Sequence, residues 1–256
     1  MTFDRRGHRR LGALLGGKVV DLPDAVGHPA FPGTMEALVA SNGGTVLDAA
    51  RAALERDDAL ACAVEDARLL APLLPRTFRS RDAPEAARRV AGPGDEVAWP
   101  DGAGWLDYKP KIAAILRRPV DRVDRADIRR AIFGYTLVSD WAARDANGDP
   151  TPHAHGVPLA LGPCIVTPDE IDPQTAFVTV RVDGEQWVKG NLNGIATDLV
   201  EAVTRTSRVE HLEPGEAFAS SPFDIPGFEQ RLWPGATIEL EAEGIGVLAN
   251  RLATTR

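Results

Sequence analysis

Apolar and polar positions alternate with a period of two along most of the chain, and a helical period shows only in short stretches. Residues Leu11–Val20 are apolar until Gly16-Gly17-Lys18 interrupts them, which predicts a hairpin over about 9–22 with a two-residue Gly16-Gly17 turn. Two stretches rich in Ala, Leu, Arg and Glu predict helices over 34–40 and 46–56. The prolines of Leu69–Pro75 then end regular structure and mark a boundary. Residues 76–104 are polar and turn-rich, with Pro93-Gly94-Asp95 and Pro100-Asp101-Gly102 as turns. From Trp105 the alternation is strong: Leu106, Tyr108, Pro110 and Ile112 interleave with Asp107, Lys109, Lys111 and Ala113, which predicts a strand. Asp124 is the candidate N-cap of a helix over 125–132. Strands follow at 135–140 and 162–167. Hairpins follow around Asp183-Gly184 and Glu243-Gly244, with an amphipathic helix between them over 195–206. Many short strands with few helices make an α+β chain. A small N-terminal domain covers 1–72 and a larger, β-rich domain covers 73–256.

Composition narrows the function. The 24 glycines and 20 prolines suit strands and turns rather than a helical bundle. With 29 basic and 37 acidic side chains the formal net charge is −8, and no long basic run interrupts the acidic surface. Nucleic acid and anionic membrane are therefore not expected as main partners. No apolar stretch reaches the ~18 residues of a membrane span. The early arginines, Arg5-Arg6 and Arg9-Arg10, precede an apolar stretch too interrupted for a signal peptide, so a cytoplasmic location is expected. Cys62 and Cys164 form no metal or disulfide pattern and read as small buried hydrophobes.

Five segments carry a family resemblance. They are Trp105–Tyr108 (WLDY), Phe133–Asp145 (FGYTLVSDWAARD), Leu161–Ile171 (LGPCIVTPDEI), Leu212–Glu216 (LEPGE) and Leu232–Asn250 (LWPGATIELEAEGIGVLAN). In this order the chain resembles the fumarylacetoacetate hydrolase superfamily over roughly 105–252. The resemblance implies a mixed β-sandwich roll with a small N-terminal domain, usually as a homodimer. It also implies C–C hydrolysis, decarboxylation or isomerisation of β-dicarbonyls, 2-oxo acids or their enols.

The chain departs from that pattern where the family does its chemistry. Family members hold a divalent cation, Mg²⁺ or Ca²⁺, with a Glu-x-Glu pair after the tyrosine and an Asp from the next strand. Here the pair is Lys109 and Lys111, and only the third position keeps its carboxylate, as Asp140. Two ammonium groups repel a cation that needs oxygen ligands, so no metal and no other cofactor are expected. The catalytic Glu aligns with Glu85, whereas the catalytic His position falls on Ala87. A family lysine aligns with His153, and Ser220-Ser221-Pro222 replaces Gly-Thr-Pro.

Each candidate has an ordinary reading as well. Lys109 and Lys111 share a strand face, and by spacing alone suit a solvated edge strand with Pro110 between them. Asp140 either caps the turn before Arg144-Asp145 or serves as counter-ion to the lysines. His153 and His155 sit in a polar loop, suited to one pocket acid/base more than to a metal site. Ser221 has no nucleophile-elbow context. Lys189 suits a surface charge and Arg144 a structural ion pair, while Tyr108 and Trp141 suit core or pocket wall. The expected site consists of Lys109, Lys111, Asp140 and Glu85 as catalytic groups. Around them, Tyr108, Trp141, Arg144, His153, Lys189 and Ser221 are expected to bind substrate.

Two functions fit. One is a metal-independent enzyme of this fold, a hydrolase, lyase or isomerase acting on an oxo acid or enol, in specialised biosynthesis. The other is a non-catalytic small-molecule binder or partner subunit of an active paralogue. Loss of the His and of two carboxylates favours the binder. Replacement by two lysines on one face, with Asp140 kept, favours the enzyme, because decay scatters residue types.

Overall fold

The first three strands follow one another through two-residue turns. They are β1 (Thr2–Arg5), β2 (His8–Leu15) and β3 (Lys18–Asp21). Gly16 and Gly17 take φ of 55° and 77°, the mirror-image turn whose twist matches that of the strands. In this computed structural model all residues are described except 42–43, 57–60, 81–82, 85–88, 152–156, 174, 192–194, 223–230 and 255–256. Three helices come next: α1 (Leu22–Val26), α2 (Met35–Ala40) and α3 (Gly44–Leu54). Thr34 caps α2, its hydroxyl accepting from the Ala37 N–H at 3.2 Å. Strands β4 (Ala61–Ala63) and β5 (Leu69–Leu70) complete a sheet of order β4-β3-β2-β1-β5. Cys62 lies exposed on β4, which corrects its reading as a buried residue; Cys164 is buried.

The remaining chain builds two further sheets among the described residues. Short strands β6 (Phe78–Ser80), β7 (Ala83–Pro84), β8 (Val90–Ala91) and β9 (Glu96–Val97) run through the turn-rich region. Then come β10 (Trp105–Leu116), α4 (Arg125–Ala131), β11 (Ile132–Arg144), β12 (Leu159–Val166), β13 (Phe177–Val182) and β14 (Glu185–Asn191). Helix α5 (Ile195–Ser207) precedes β15 (Ala217–Ala219), β16 (Arg231–Leu232), β17 (Thr237–Ala242) and β18 (Gly246–Leu252). One sheet has the order β7-β6-β15-β10-β11-β12-β8, with β16 also paired to β10; the other has the order β14-β13-β17-β18-β9. The architecture is α+β, with sheet packed on sheet. Strand β11 runs well past the expected 135–140, because β10 offers ladder partners from Leu116 back to Trp105.

Strand β10 is central. It pairs with β11 along one side and with β15 and β16 along the other. The edge-strand reading of its lysines is thereby corrected. Even-numbered residues of β10 turn their backbone groups towards β15: the Ile112 N–H donates to Ser220 Oγ at 3.2 Å, and the Ser220 N–H donates to the Ile112 carbonyl at 2.8 Å. Pro110, two residues earlier, faces the same side at the break between β15 and β16. A missing N–H costs no ladder bond there.

The two faces of the β10–β11 ladder lead to different cores. Leu106, Tyr108, Ile112, Leu137 and Trp141 pack with Val178, Val180, Ile238 and Leu240 of the opposing sheet. Ala113, Ile115 and Val138, on the other face, pack with Leu11, Leu22, Met35 and Leu38 from the N-terminal segment. Burying a leucine-sized side chain contributes about 1.5–3 kcal/mol, so these contacts tie the N-terminal segment firmly to this sheet. The face it covers is the one that carries Lys109 and Lys111.

Candidate functional site

Strand alternation places Lys109 and Lys111 on the same face of β10, and antiparallel pairing sets Asp140 of β11 directly across from Lys109. The Lys111 ammonium donates to Asp140 Oδ2 at 2.7 Å and to Ser80 Oγ at 2.7 Å. Lys111 is 2% exposed and Asp140 5% exposed, so the ion pair is shielded from water. Lys109 is half-buried, and no hydrogen bond or ion pair joins it to another described residue. Outward along the same face, Arg144 Nη2 donates to Asp107 Oδ2 at 3.3 Å, and the Arg231 guanidinium lies 4.2 Å from the centre of the Trp105 ring. The face therefore grades from apolar core at Ala113 and Val138, through the Lys111–Asp140 pair, to half-buried Lys109 and the Asp107–Arg144 pair.

Ser80 was not a sequence candidate. It reaches Lys111 because β6 pairs in parallel with β15, aligning Ser80 with Ala219, while Ala219 itself pairs with Ala113 of β10. Nothing local in the sequence signals that arrangement. Ser221 lies two residues beyond Ala219, just past the end of β15. It is half-buried, and its carbonyl accepts from Ser220 Oγ at 2.7 Å.

Three other expected site residues are placed elsewhere. Tyr108 and Trp141 face each other across the ladder on the opposite side of the sheet, each about 1% exposed, with ring centres 6.2 Å apart. They are core residues, because a shift of one position along a strand reverses the face. Burial pushes the Tyr108 phenol far above its usual range, against the opposing effect of its 3.0 Å hydrogen bond with Ser139 Oγ. Lys189 is exposed on β14, an edge strand of the other sheet, paired with Thr179. Glu85 and His153 lie outside the described residues. Together on one face, then, are Lys109, Lys111, Asp140 and Arg144, with Ser80 at its side.

The model of the fumarylacetoacetate hydrolase C-terminal family matches residues 83–253. The chain belongs to the fumarylacetoacetate hydrolase family. Among curated relatives, it is 28% identical over 176 residues to the oxaloacetate tautomerase YisK of Bacillus subtilis, covering 64% of this chain and 58% of that protein. It is 30% identical over 149 residues to the uncharacterized protein MJ1656 of Methanocaldococcus jannaschii, covering 57% of this chain and 61% of that one. The chain thus spans about three-fifths of the length of these curated relatives. Among solved structures, a fumarylacetoacetate hydrolase from Exiguobacterium antarcticum superposes over 100% of this chain and 98% of its own, with a TM-score of 0.80 at 24% identity. A maleylpyruvate hydrolase from Sphingobium sp. SYK-6 covers 99% of each chain, with a TM-score of 0.82 at 23% identity. These likenesses show the fold.

The family resemblance implies a divalent cation held by three carboxylates. At the corresponding positions this face offers one carboxylate and two ammonium groups, and the buried Lys111 ammonium already lies against Asp140. That donor set does not fit Mg²⁺ or Ca²⁺, which require oxygen ligands. Among the described residues, no cluster of three His, Cys, Asp or Glu side chains is arranged to hold a metal. No helix of the described residues is long and apolar enough to cross a membrane.

Proposed function

We propose that the chain is an enzyme that acts on a small 2-oxo acid, β-dicarbonyl or enol without a divalent cation, using ammonium charge in its place. The observation that carries this reading is the buried Lys111–Asp140 pair, with Lys109 beside it on the same inward face. Similarity to an oxaloacetate tautomerase, at 28% identity, favours a keto–enol or related rearrangement.

The chemistry follows from charge. Removing a proton next to a 2-oxo group builds negative charge on its oxygen. A preorganised donor aimed at that oxygen lowers the barrier without a metal. One charge-assisted hydrogen bond contributes about 1.5–3 kcal/mol, or roughly 10- to 100-fold in rate. In this reading the Lys109 ammonium binds and polarises the substrate, while the Lys111–Asp140 and Arg144–Asp107 pairs flank it on the same face. Glu85 and His153 are the proposed proton-transfer groups. Tyr108 takes no part, being held neutral in the core behind the sheet.

The second reading, a binder without catalysis, is favoured by one observation: Asp140 and Ser80 both engage the Lys111 ammonium, as in a structural pair. Enol absorbance with oxaloacetate and a panel of acylpyruvates separates the two. The enzyme reading expects turnover unchanged by EDTA or by added Mg²⁺. Turnover lost in EDTA and restored by Mg²⁺ would sink metal independence, and saturable binding without turnover would favour the binder.

A further inference from the structure

The two lysines are not equivalent. Lys111 is spoken for: its ammonium is buried, charge-paired to Asp140 at 2.7 Å and hydrogen-bonded to Ser80. Lys109 is half-buried on the inward face of a central strand, and no anion partners it among the described residues. Asp140 is the residue directly across the ladder from it, yet the Asp140 carboxylate forms its ion pair with Lys111. Asp107, two residues before Lys109 on the same strand face, is engaged by Arg144. Among the described residues, two ammonium groups and one carboxylate at the centre of the face leave a single positive charge, located at Lys109. An ammonium withdrawn from bulk water without a counter-ion is unfavourable, and an anionic ligand offsets that cost.

Resting on the metal-free reading above, we propose that Lys109 is the anion-binding residue of this face, taking a carboxylate or enolate oxygen of a 2-oxo acid. Lys111 is consumed within the fold and gives the ligand no charge of its own. The substrate class follows from that arithmetic: a small carboxylate or enolate satisfies one uncompensated ammonium, and a neutral ketone does not.

The test uses oxalate, a stable planar mimic of a 2-oxo acid enolate, with neutral oxamide as control, titrated calorimetrically into the full chain in EDTA. The expected result is that the parent protein binds oxalate over oxamide. Lys109→Met should weaken oxalate binding at least tenfold, about 1.4 kcal/mol. Lys109→Arg should keep it within about threefold, and both variants should melt within about 2 °C of the parent. Oxalate binding in EDTA that Lys109→Met leaves intact overturns the assignment of Lys109 but spares the metal-free reading. Oxalate binding that appears only when Mg²⁺ is added overturns both. No preference for oxalate over oxamide, with or without metal, overturns the assignment, as does a large fall in melting temperature in Lys109→Met.

Discussion

Asp140 stands directly opposite Lys109 in the β10–β11 ladder, yet the ion pair it forms is diagonal, to Lys111 at 2.7 Å. Diagonal neighbours on a sheet face lie ~7–8 Å apart at the backbone, within reach of a lysine. The direction of that one contact sets the charge pattern of the face.

Lys111→Met removes the ammonium from a carboxylate that is 5% exposed. Breaking a buried ion pair from one side costs about 3–5 kcal/mol. For a chain of this size that lowers the thermal midpoint by roughly 6–20 °C. Lys111→Met combined with Asp140→Leu should recover much of the loss, since an apolar pair in the same space is often neutral. Differential scanning calorimetry of both variants checks the pattern, and equal losses in the two would contradict it.

Restoring the family's donor set should restore its ion. Lys109→Glu with Lys111→Glu would gather three carboxylates with Asp140, a hard-oxygen set suited to Mn²⁺ or Mg²⁺. Electron paramagnetic resonance of added Mn²⁺ should show saturable binding with a dissociation constant below about 1 mM in the double variant and none at this face in the parent. Identical Mn²⁺ binding in both proteins would mean that the lysines are not what excludes the metal.

Tyr108 supports the strand that carries the lysines but faces away from them. Tyr108→Phe deletes the hydrogen bond to Ser139 and should cost about 0.5–1.5 kcal/mol of stability. Oxalate affinity should stay within about threefold of the parent. A loss of binding larger than the loss of stability would return Tyr108 to the site.

The N-terminal segment supplies an acid-sensitive anchor. Burial raises the Asp21 carboxyl, but the hydrogen-bonding guanidiniums of Arg10 and Arg5 outweigh it and hold the group below its usual value. A folded-state value below the unfolded one, ~3.9, means that the unfolded chain binds the proton more tightly. The stabilisation is therefore complete above about pH 4 and is lost as pH falls through the folded value. Asp21→Asn should lower the melting midpoint at pH 6, with a difference from the parent that shrinks below about pH 4. A difference that is constant from pH 6 to pH 2.5 would argue against this ion-pair account.

Much of the chain was decided locally and was therefore legible in the sequence. Gly16-Gly17 and Asp183-Gly184 fixed two-residue hairpins, because these pairs accept the positive φ that the turn requires. Asp124 marked the start of α4, its carboxylate accepting from the Asp127 N–H at 3.0 Å. Period-two alternation put Lys109 and Lys111 on one face before any partner strand was known, and the same alternation put Tyr108 on the other. What alternation leaves open is which face looks towards which core. Tertiary packing decided that: one face of β10–β11 met the second sheet, which made Tyr108 and Trp141 core residues, and the N-terminal segment covered the other. It also decided that β10 is a central strand, since β15 and β16 return to it from more than a hundred residues away. The difference between the two lysines came from the same source. Lys111 lies deep enough to meet Asp140 and a serine delivered by a parallel strand, Lys109 lies two residues nearer solvent, and a dipeptide repeat in the sequence carries no measure of depth.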